Sequence, residues 1–409
     1  MKVLSTLNQT PSGERVHVSF FGRRNAGKSS LVNAVTGQEI SVVSNVAGTT
    51  TDPVTKAMEL LPVGPVLIID TPGIDDEGEL GEKRVTRTMR ILNKTDVAVL
   101  VVDSSVGFTE SDNETKRLIK SKDIPLITVY SKSDLNDTYA NAENTISVSA
   151  KSGDGINELK ELIAQVASQG VEERRIIGDK LSESDTVILV TPIDSSAPKG
   201  RLILPQVQTI RDILDSHGMC LTVQPDQLPH ALDSLKEPPK LVITDSQVFG
   251  NVKSIVPESV PLTSFSILMA AYKGILPYAV DGIAGIHRLK SGSRVLISEG
   301  FSHHRKCEDI GTVKLPAMLK RFTGIDDLNF TFTSGGEFPA ELSSYDLIIH
   351  CGGCMLPSRE VLYRAKCATD AGIPFTNYGT AMAYMNGILS RSLSCFPELS
   401  EKLQCFANV

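Results

Sequence analysis

Two sets of residues in this sequence have the types and spacing to do chemistry. The first is Gly22-Arg23-Arg24-Asn25-Ala26-Gly27-Lys28-Ser29, a full GxxxxGKS phosphate loop followed by Ser30. Consecutive backbone N–H groups and the N-terminus of the next helix would cradle phosphates. Lys28 supplies a point charge to the terminal phosphates and Ser29 a magnesium ligand. Asp70-Thr71-Pro72-Gly73 stands 41 residues after Ser29, at the end of an apolar run. Asp70 is expected to hold magnesium through water. The Gly73 N–H is expected to sense the terminal phosphate, whose departure releases a switch loop. The second set is His303, His304, Cys307, His350, Cys351, Cys354 and Cys367. In His350-Cys351-Gly352-Gly353-Cys354 the glycines let the chain turn tightly, so both sulfurs can face one ion or one cluster edge. A CxxC pair also reads as a redox dithiol or as buried thiols, and it is only half of a metal site. The loop 302–307 would supply the rest. Cys220, Cys395 and Cys405 read as ordinary core thiols.

These groups need a scaffold, and the apolar runs predict one. Residues 16–21 (VHVSFF) form a strand that enters the glycine-rich turn, and residues 28–36 open a helix. VLIID (66–70), VAVLVVD (97–103) and IPLITVY (124–130) are further buried strands, with amphipathic or polar segments at 79–94 and 111–122 between them. The fold class is α/β: a P-loop domain with a mostly parallel sheet and helices on both faces, closed by a helix at 155–168. A second unit reads as strand (186–194), helix (205–216), strand (219–224), helix, strand (240–246). Pro192, Asp194 and Pro198-Lys199-Gly200 there read as a βα turn. A third unit begins at 261–277 and continues through RVLISEG (294–300), a helix at 315–322, NFTFTSG (329–335) and YDLIIH (345–350), which enters CGGC. No internal repeat is evident at the sequence level, although the second and third units alternate strand and loop in a similar style.

A chain of 409 residues suggests two to four domains, and 41% hydrophobic residues are enough to bury real cores. A net charge of -7 disfavours a nucleic-acid-coating protein, and the absence of Trp leaves few platforms for stacked bases. No apolar run is long enough to span a membrane, and no secretory signal is evident, so no membrane partner is expected. The seven cysteines are an odd number, with six of them after residue 300, which fits a disulfide framework poorly. A reducing, cytoplasmic location is expected.

Between the phosphate loop and Asp70 lies Ala47-Gly48-Thr49-Thr50-Thr51-Asp52. The arrangement resembles the translation-factor-like GTPases of the tRNA-modifying and ribosome-assembly type. That resemblance implies GTP as the nucleotide and Thr50 as the switch threonine on Mg2+. It makes Asn25 the residue that helps hold a monovalent cation, K+, beside the phosphates. Lys28, Thr50, Asp70 and Gly73 then carry hydrolysis. Ile74 stands where other GTPases place a glutamine, so slow intrinsic turnover is expected, with charge supplied by a cation or partner. The family's NKxD motif appears here as Ser131-Lys132-Ser133-Asp134. Asp134 would accept from the guanine N1 and N2 donors while Lys132 packs over the ring. Ser131 replaces the asparagine amide only in part, which lowers affinity while guanine preference survives. Ser149-Ala150-Lys151 fits the loop whose backbone reads the guanine carbonyl oxygen.

The whole chain resembles the FeFe-hydrogenase maturation GTPases, in which a potassium-type GTPase precedes a second α/β unit and a C-terminal HCxxC domain. The resemblance implies a scaffold or carrier that binds a 4Fe-4S cluster and a transient diiron precursor and delivers the precursor to apo FeFe-hydrogenase. Its partners would be that hydrogenase, two radical-SAM maturation enzymes and a second copy of itself in a homodimer, with no nucleic acid. Three cysteines hold the cluster in that family, one from a C-x-H segment and two from H-C-x-x-C. Cys351 and Cys354 match the second segment and His304 the histidine of the first, but Ser302 stands where its cysteine would be. A hydroxyl is a poor iron ligand beside a thiolate. Cys307 completes the site, or His304 or another group does, or the site is weakened. The implied domains are 1–172 (GTP-binding), 173–262 (dimerisation) and 263–409 (cluster-binding). The rival readings are a potassium-type GTPase in tRNA modification or ribosome assembly with a zinc-stabilised accessory domain, and a regulatory interaction protein whose cysteines bind nothing.

Overall fold

Every residue of Val97–Asp103 is buried, which a strand achieves only when both of its faces are covered. Val97, Val99 and Val101 enter one apolar cluster, and Ala98, Leu100 and Val102 enter another. This run is β4 of a six-stranded sheet in Met1–Glu172, one of two compact units; the other is Glu173–Val409. The structure, a computed structural model, describes residues 12–37, 54–72, 88–89, 91–136, 142–169, 174–193, 202–300, 309–339 and 341–407. With β1 (Val16–Phe21), β2 (Val54–Leu60), β3 (Gly64–Asp70), β5 (Leu126–Ser131) and β6 (Thr145–Ser147), the sheet order is β2-β3-β1-β4-β5-β6. Only the β2–β3 pair is antiparallel. Helices α1 (Lys28–Thr36) and α3 (Ile156–Ser168) bury Leu31, Val35, Leu159 and Ile163 on the Val99 face, while α2 (Glu110–Ser121) buries Ile119 on the Leu100 face. Each such side chain contributes about 1.5–3 kcal/mol. The expected strands and helices are present. β2 and β6 were not anticipated, because VTKAMEL buries only Leu60 and β6 has three residues, so neither forms an apolar run. Most of segment 79–94 lies outside the described residues.

The second unit holds two four-stranded parallel sheets. One contains β7 (Thr186–Val190), β8 (Met219–Val223), β9 (Leu241–Thr244) and β10 (Leu262–Ser264) in the order β10-β9-β7-β8. The other contains β11 (Arg294–Ser298), β12 (Asn329–Thr333), β13 (Leu347–His350) and β14 (Phe375–Asn377) in the order β12-β11-β13-β14. Read from the opposite edge, the second order repeats the first strand for strand. The registers agree as well: Val190, Thr244 and Ser264 are paired across the first sheet as Ser298, His350 and Asn377 are across the second.

An internal repeat is therefore present where none was expected. It surfaces in the sequence only at one place: residues 261–276 and 374–389 align without a gap, sharing Pro, Thr, Met-Ala and Gly-Ile-Leu at the same positions. Each stretch is a short strand entering a helix, α4 (Phe265–Tyr272) or α6 (Tyr378–Met385), with α5 (Ser358–Asp370) preceding the second. The helix caps correspond too, since Ser264 accepts from the Ile267 N–H and Asn377 from the Thr380 N–H. Elsewhere the copies share only apolar strand character, which many sequences satisfy, so the repeat was not legible. β10 pairs with β9, so the segment expected to begin a third unit supplies the last strand of the first sheet.

The two copies pack through these helix starts. Asn377 Nδ2 donates to the Ser266 carbonyl at 3.0 Å, and the Gly379 N–H donates to Ser266 Oγ at 3.1 Å. One apolar cluster runs through both sheets, from Ile188 and Val242 to Ile349 and Leu393. Within the second copy the chain approaches itself closely at Gly282, where an added Cβ would lie 2.0 Å from the Phe375 carbonyl oxygen and 2.8 Å from its nitrogen. Gly282→Ala should therefore cost about 3 kcal/mol of stability, read as a lower urea midpoint by circular dichroism. An unchanged midpoint would show that β14 yields freely.

Candidate functional site

The phosphate loop leaves β1 at Gly22, which lies so close to β4 that a Cβ there would sit 2.3 Å from the Val101 carbonyl oxygen. The loop then passes through Asn25, exposed and left-handed at φ 61°, to Gly27 at the cap of α1. Ala26 and Lys28 are buried, while Ser29 and Ser30 face outward on the first turn of α1. Lys28 Nζ donates to the carbonyls of Gly22 at 2.8 Å and Arg23 at 2.7 Å, which holds its charge inside the loop's own ring. Ser29 Oγ donates to Asp70 Oδ2 at 2.6 Å, bringing together two residues separated by 41 positions. Asp70 is buried, and among the described residues its Oδ1 finds no hydrogen-bond partner. Burial raises its carboxyl above the ordinary range, against the pull of the Ser29 hydroxyl and the Lys28 and Lys56 charges. An orphaned carboxylate oxygen beside a serine hydroxyl fits a magnesium ion, which needs oxygen ligands and few protein groups.

The base end of the site is tied to the phosphate end by Ser131. Its Oγ donates to the Ala26 carbonyl at 2.6 Å and lies 3.2 Å from that of Val102, both buried contacts. Lys132 is left-handed at φ 59°, and its Nζ reaches Asp103 Oδ2 at 2.5 Å. Although burial pushes the other way, bonds from Lys132 and Ser105 hold the Asp103 carboxyl below its ordinary range. Ser104 Oγ donates to the Lys132 carbonyl at 2.8 Å. Asp134 is exposed, with Oδ1 accepting from Ser149 Oγ at 2.8 Å. The Ser149-Ala150-Lys151 loop thus orients the carboxylate expected to read guanine. Asp103 and Ser104 were not among the expected site residues, although they stand where the buried β4 run ends and a loop begins. Thr50, Gly73 and Ile74 lie outside the described residues.

In the second unit, the Gly300 N–H donates to Cys351 Sγ at 3.0 Å and the Gly353 N–H does so at 3.4 Å. Burial pushes the Cys351 thiol up, and these two donors pull it back. Sulfur that accepts backbone N–H bonds suits an iron–sulfur ligand, because such bonds stabilise the thiolate and tune the cluster. Cys354 is partly exposed and in no disulfide. His350 is fully buried. Its Nδ1 lies 2.7 Å from the Cys351 carbonyl oxygen and so carries the proton, while Nε2 receives Arg364 Nη1 at 3.3 Å. Burial and then the Arg364 charge hold its pKa down at about 3. Neither ring nitrogen is left for a metal. Among the described residues no group of three or more His, Cys, Asp and Glu is gathered as a metal site, and Cys351 and Cys354 supply two thiols. Ser302, His303, His304 and Cys307 lie outside the described residues, as does the side chain of Cys405. Cys220 and Cys395 pack against apolar clusters, where burial raises both thiols. Gly300 and Arg364 were missed by sequence reasoning. Glu360 and Arg364 stand four apart on the buried face of α5, a spacing that in sequence reads as a solvated pair.

Ser131→Ala removes the tie between β5 and the phosphate loop and leaves a buried carbonyl without that donor. Loss of about 1.4 kcal/mol, or about tenfold in GDP affinity, is expected in a fluorescent-nucleotide titration. Unchanged affinity would mean that the loop holds its shape without Ser131.

Residues 17–132 match the family described as 50S ribosome-binding GTPase. Among curated proteins, the tRNA modification GTPase MnmE of Legionella pneumophila (strain Corby) is 40% identical over 149 residues, 36% of this chain and 33% of that protein. GTPase Der of Wolinella succinogenes is 36% identical over 180 residues, 40% of this chain and 38% of that protein. The chain thus spans about a third of the length of these relatives (33% and 38%). Among solved structures, the G domain of T. maritima FeoB is 25% identical and covers 38% of this chain and 99% of its own, with a TM-score of 0.31. The N-terminal unit is a GTP-hydrolysing domain. Residues 176–274 match the hydrogen maturase F dimerization domain and residues 277–395 its tetramerization domain, and domains of these two kinds support self-association. Two maturase-specific domains joined to a GTPase domain in one chain place it: the chain belongs to the hydrogen maturase F (HydF) family of hydrogenase maturation GTPases.

Proposed function

We propose that this chain is a scaffold and carrier that binds a 4Fe-4S cluster through Cys351 and Cys354, holds a diiron precursor beside it, and delivers that precursor to apo FeFe-hydrogenase. The observation that carries the reading is the Cys351 sulfur, already receiving two backbone N–H bonds, inside a maturase-specific domain. The third cluster ligand is assigned to the segment 302–307, from Cys307, His304 or Ser302. A cluster held by few protein thiolates leaves an iron position open, which suits a scaffold that must bridge to an incoming fragment. The dimerisation segment (173–262) and the cluster-binding segment (263–409) form the carrier. Its partners are the apo-hydrogenase and two radical-SAM maturation enzymes, all in a reducing cytoplasm.

GTP hydrolysis serves as a switch for these encounters rather than as chemistry on iron. In this reading Lys28 leaves the Gly22 and Arg23 carbonyls for the terminal phosphates, and Ser29 and Asp70 take Mg2+. Thr50 joins them on Mg2+, the Gly73 N–H senses the terminal phosphate, and Asn25 helps hold K+. Asp134 accepts from the guanine base with Lys132, anchored on Asp103, beside it. The likeness to tRNA modification GTPases covers 36% of the chain, whereas the second unit matches maturase domains, which gives no support to an RNA role there.

Anaerobic reconstitution with iron and sulfide should yield about four irons and four sulfides per chain and a reduced-state paramagnetic signal, both lost in the Cys351→Ala/Cys354→Ala variant. Stoichiometric zinc without iron would instead support a zinc-stabilised accessory domain.

A further inference from the structure

Arg364 heads the fully buried side chains ranked by volume, and no other described arginine is buried. Its Nε and Nη2 donate to Glu360 Oε1 at 3.0 and 2.9 Å. Nη2 also donates to the Gly335 carbonyl at 2.7 Å, and Nη1 donates to Ser298 Oγ at 3.2 Å and to His350 Nε2 at 3.3 Å. His350 passes the constraint on, because its Nδ1–H donates to the carbonyl of Cys351 at 2.7 Å. A chain of bonds therefore runs from a buried carboxylate through a guanidinium and a neutral imidazole to the first peptide of the CGGC turn.

The desolvation cost of a buried ion pair is repaid only where its geometry and further hydrogen bonds are good, as they are here. The repeat supplies an internal control for whether the fold needs this network. At the matching register the first copy has Val190 and Thr244 where the second has Ser298 and His350. That copy forms the same four-stranded parallel sheet with no buried arginine among its described residues, so the fold does not require the network. The network occurs in the copy that carries the cysteine pair. There it addresses a specific weakness: Gly352 and Gly353, the latter at φ 66°, give the turn a backbone free to rotate.

We propose that Arg364, locked by Glu360, is a positioning residue for the cysteine loop: acting through His350, it pins the Cys351 carbonyl and keeps the Cys351 sulfur against the Gly300 and Gly353 N–H groups. Its purpose rests on the cluster-binding reading, whereas the geometry does not.

The test uses the full chain in three variants. Glu360→Leu/Arg364→Met removes both charges together, because a single removal would leave an unpaired buried charge. His350→Leu breaks the relay, and His350→Asn keeps a donor near the position of Nδ1. Two rates are read: alkylation of Cys351 by iodoacetamide in metal-free protein, followed by mass spectrometry, and iron release from reconstituted protein to a chelator. The double variant and His350→Leu should raise both rates by about tenfold or more, and His350→Asn should restore most of the loss. GTP hydrolysis should be unchanged throughout. Rates within about twofold of the parent in a folded double variant overturn the proposal. If that variant does not fold, equal rates for His350→Leu and His350→Asn overturn it alone. A parent chain that takes up no iron defeats the cluster-binding reading, and the alkylation rates then decide the positioning role separately.

Discussion

The parallel pairing of β11 with β13 governs the cysteine site. Because Ser298 stands opposite His350, the chain leaving each strand arrives at the same carboxyl edge, and Gly300 meets the Cys351 sulfur there. The nucleotide site obeys the same constraint. β1 and β3 run parallel with Phe20 opposite Asp70, so the loop leaving β1 returns as α1 with Ser29 over the Asp70 carboxylate. Sheets covered on both faces leave only their strand ends open for chemistry, and both sites lie at such ends. In each case a polar group that would be costly to bury alone is matched to a partner from the neighbouring strand's exit.

Much of the nucleotide-binding unit was legible in the sequence, because its signals are local. The phosphate loop needs consecutive residues of defined type, and VAVLVVD can be little other than a fully covered strand. What local patterns could not show were groups that matter only through distant contacts. Asp103 becomes an anchor because Lys132 comes back to it from 29 positions away. Ser131 looked like a loss relative to asparagine, yet its hydroxyl still ties the base loop to Ala26. The expected core was legible in the second unit as well, but its internal repeat was not. Strand order and register recur there while side-chain identity has drifted to general apolar character, leaving a recognisable trace only in 261–276 and 374–389. Arg364 was hidden for a related reason: a Glu and an Arg four apart on a helix usually face water.

The repeat also gives the cysteine site its context. Two copies of one small parallel-sheet unit share a core, and their helix starts lock together through Ser266, Asn377 and Gly379. At the β7–β9 pair one copy has Val190 opposite Thr244. At the matching β11–β13 pair the other has Ser298 opposite His350 beside a buried ion pair, and there CGGC follows. A repeated scaffold thus holds the fold in common while one copy carries the cysteine pair. This division of labour accounts for a flexible glycine turn held by an otherwise costly polar network.

The most direct test of this account is anomalous diffraction at the iron edge from crystals of the anaerobically reconstituted protein. A peak is expected within bonding distance of both Cys351 Sγ and Cys354 Sγ, at the carboxyl edge of β11 and β13, with His350 still bound to the Cys351 carbonyl and to Arg364. A peak at the zinc edge in that place, an iron peak elsewhere, or an iron bound by the His350 ring would contradict it.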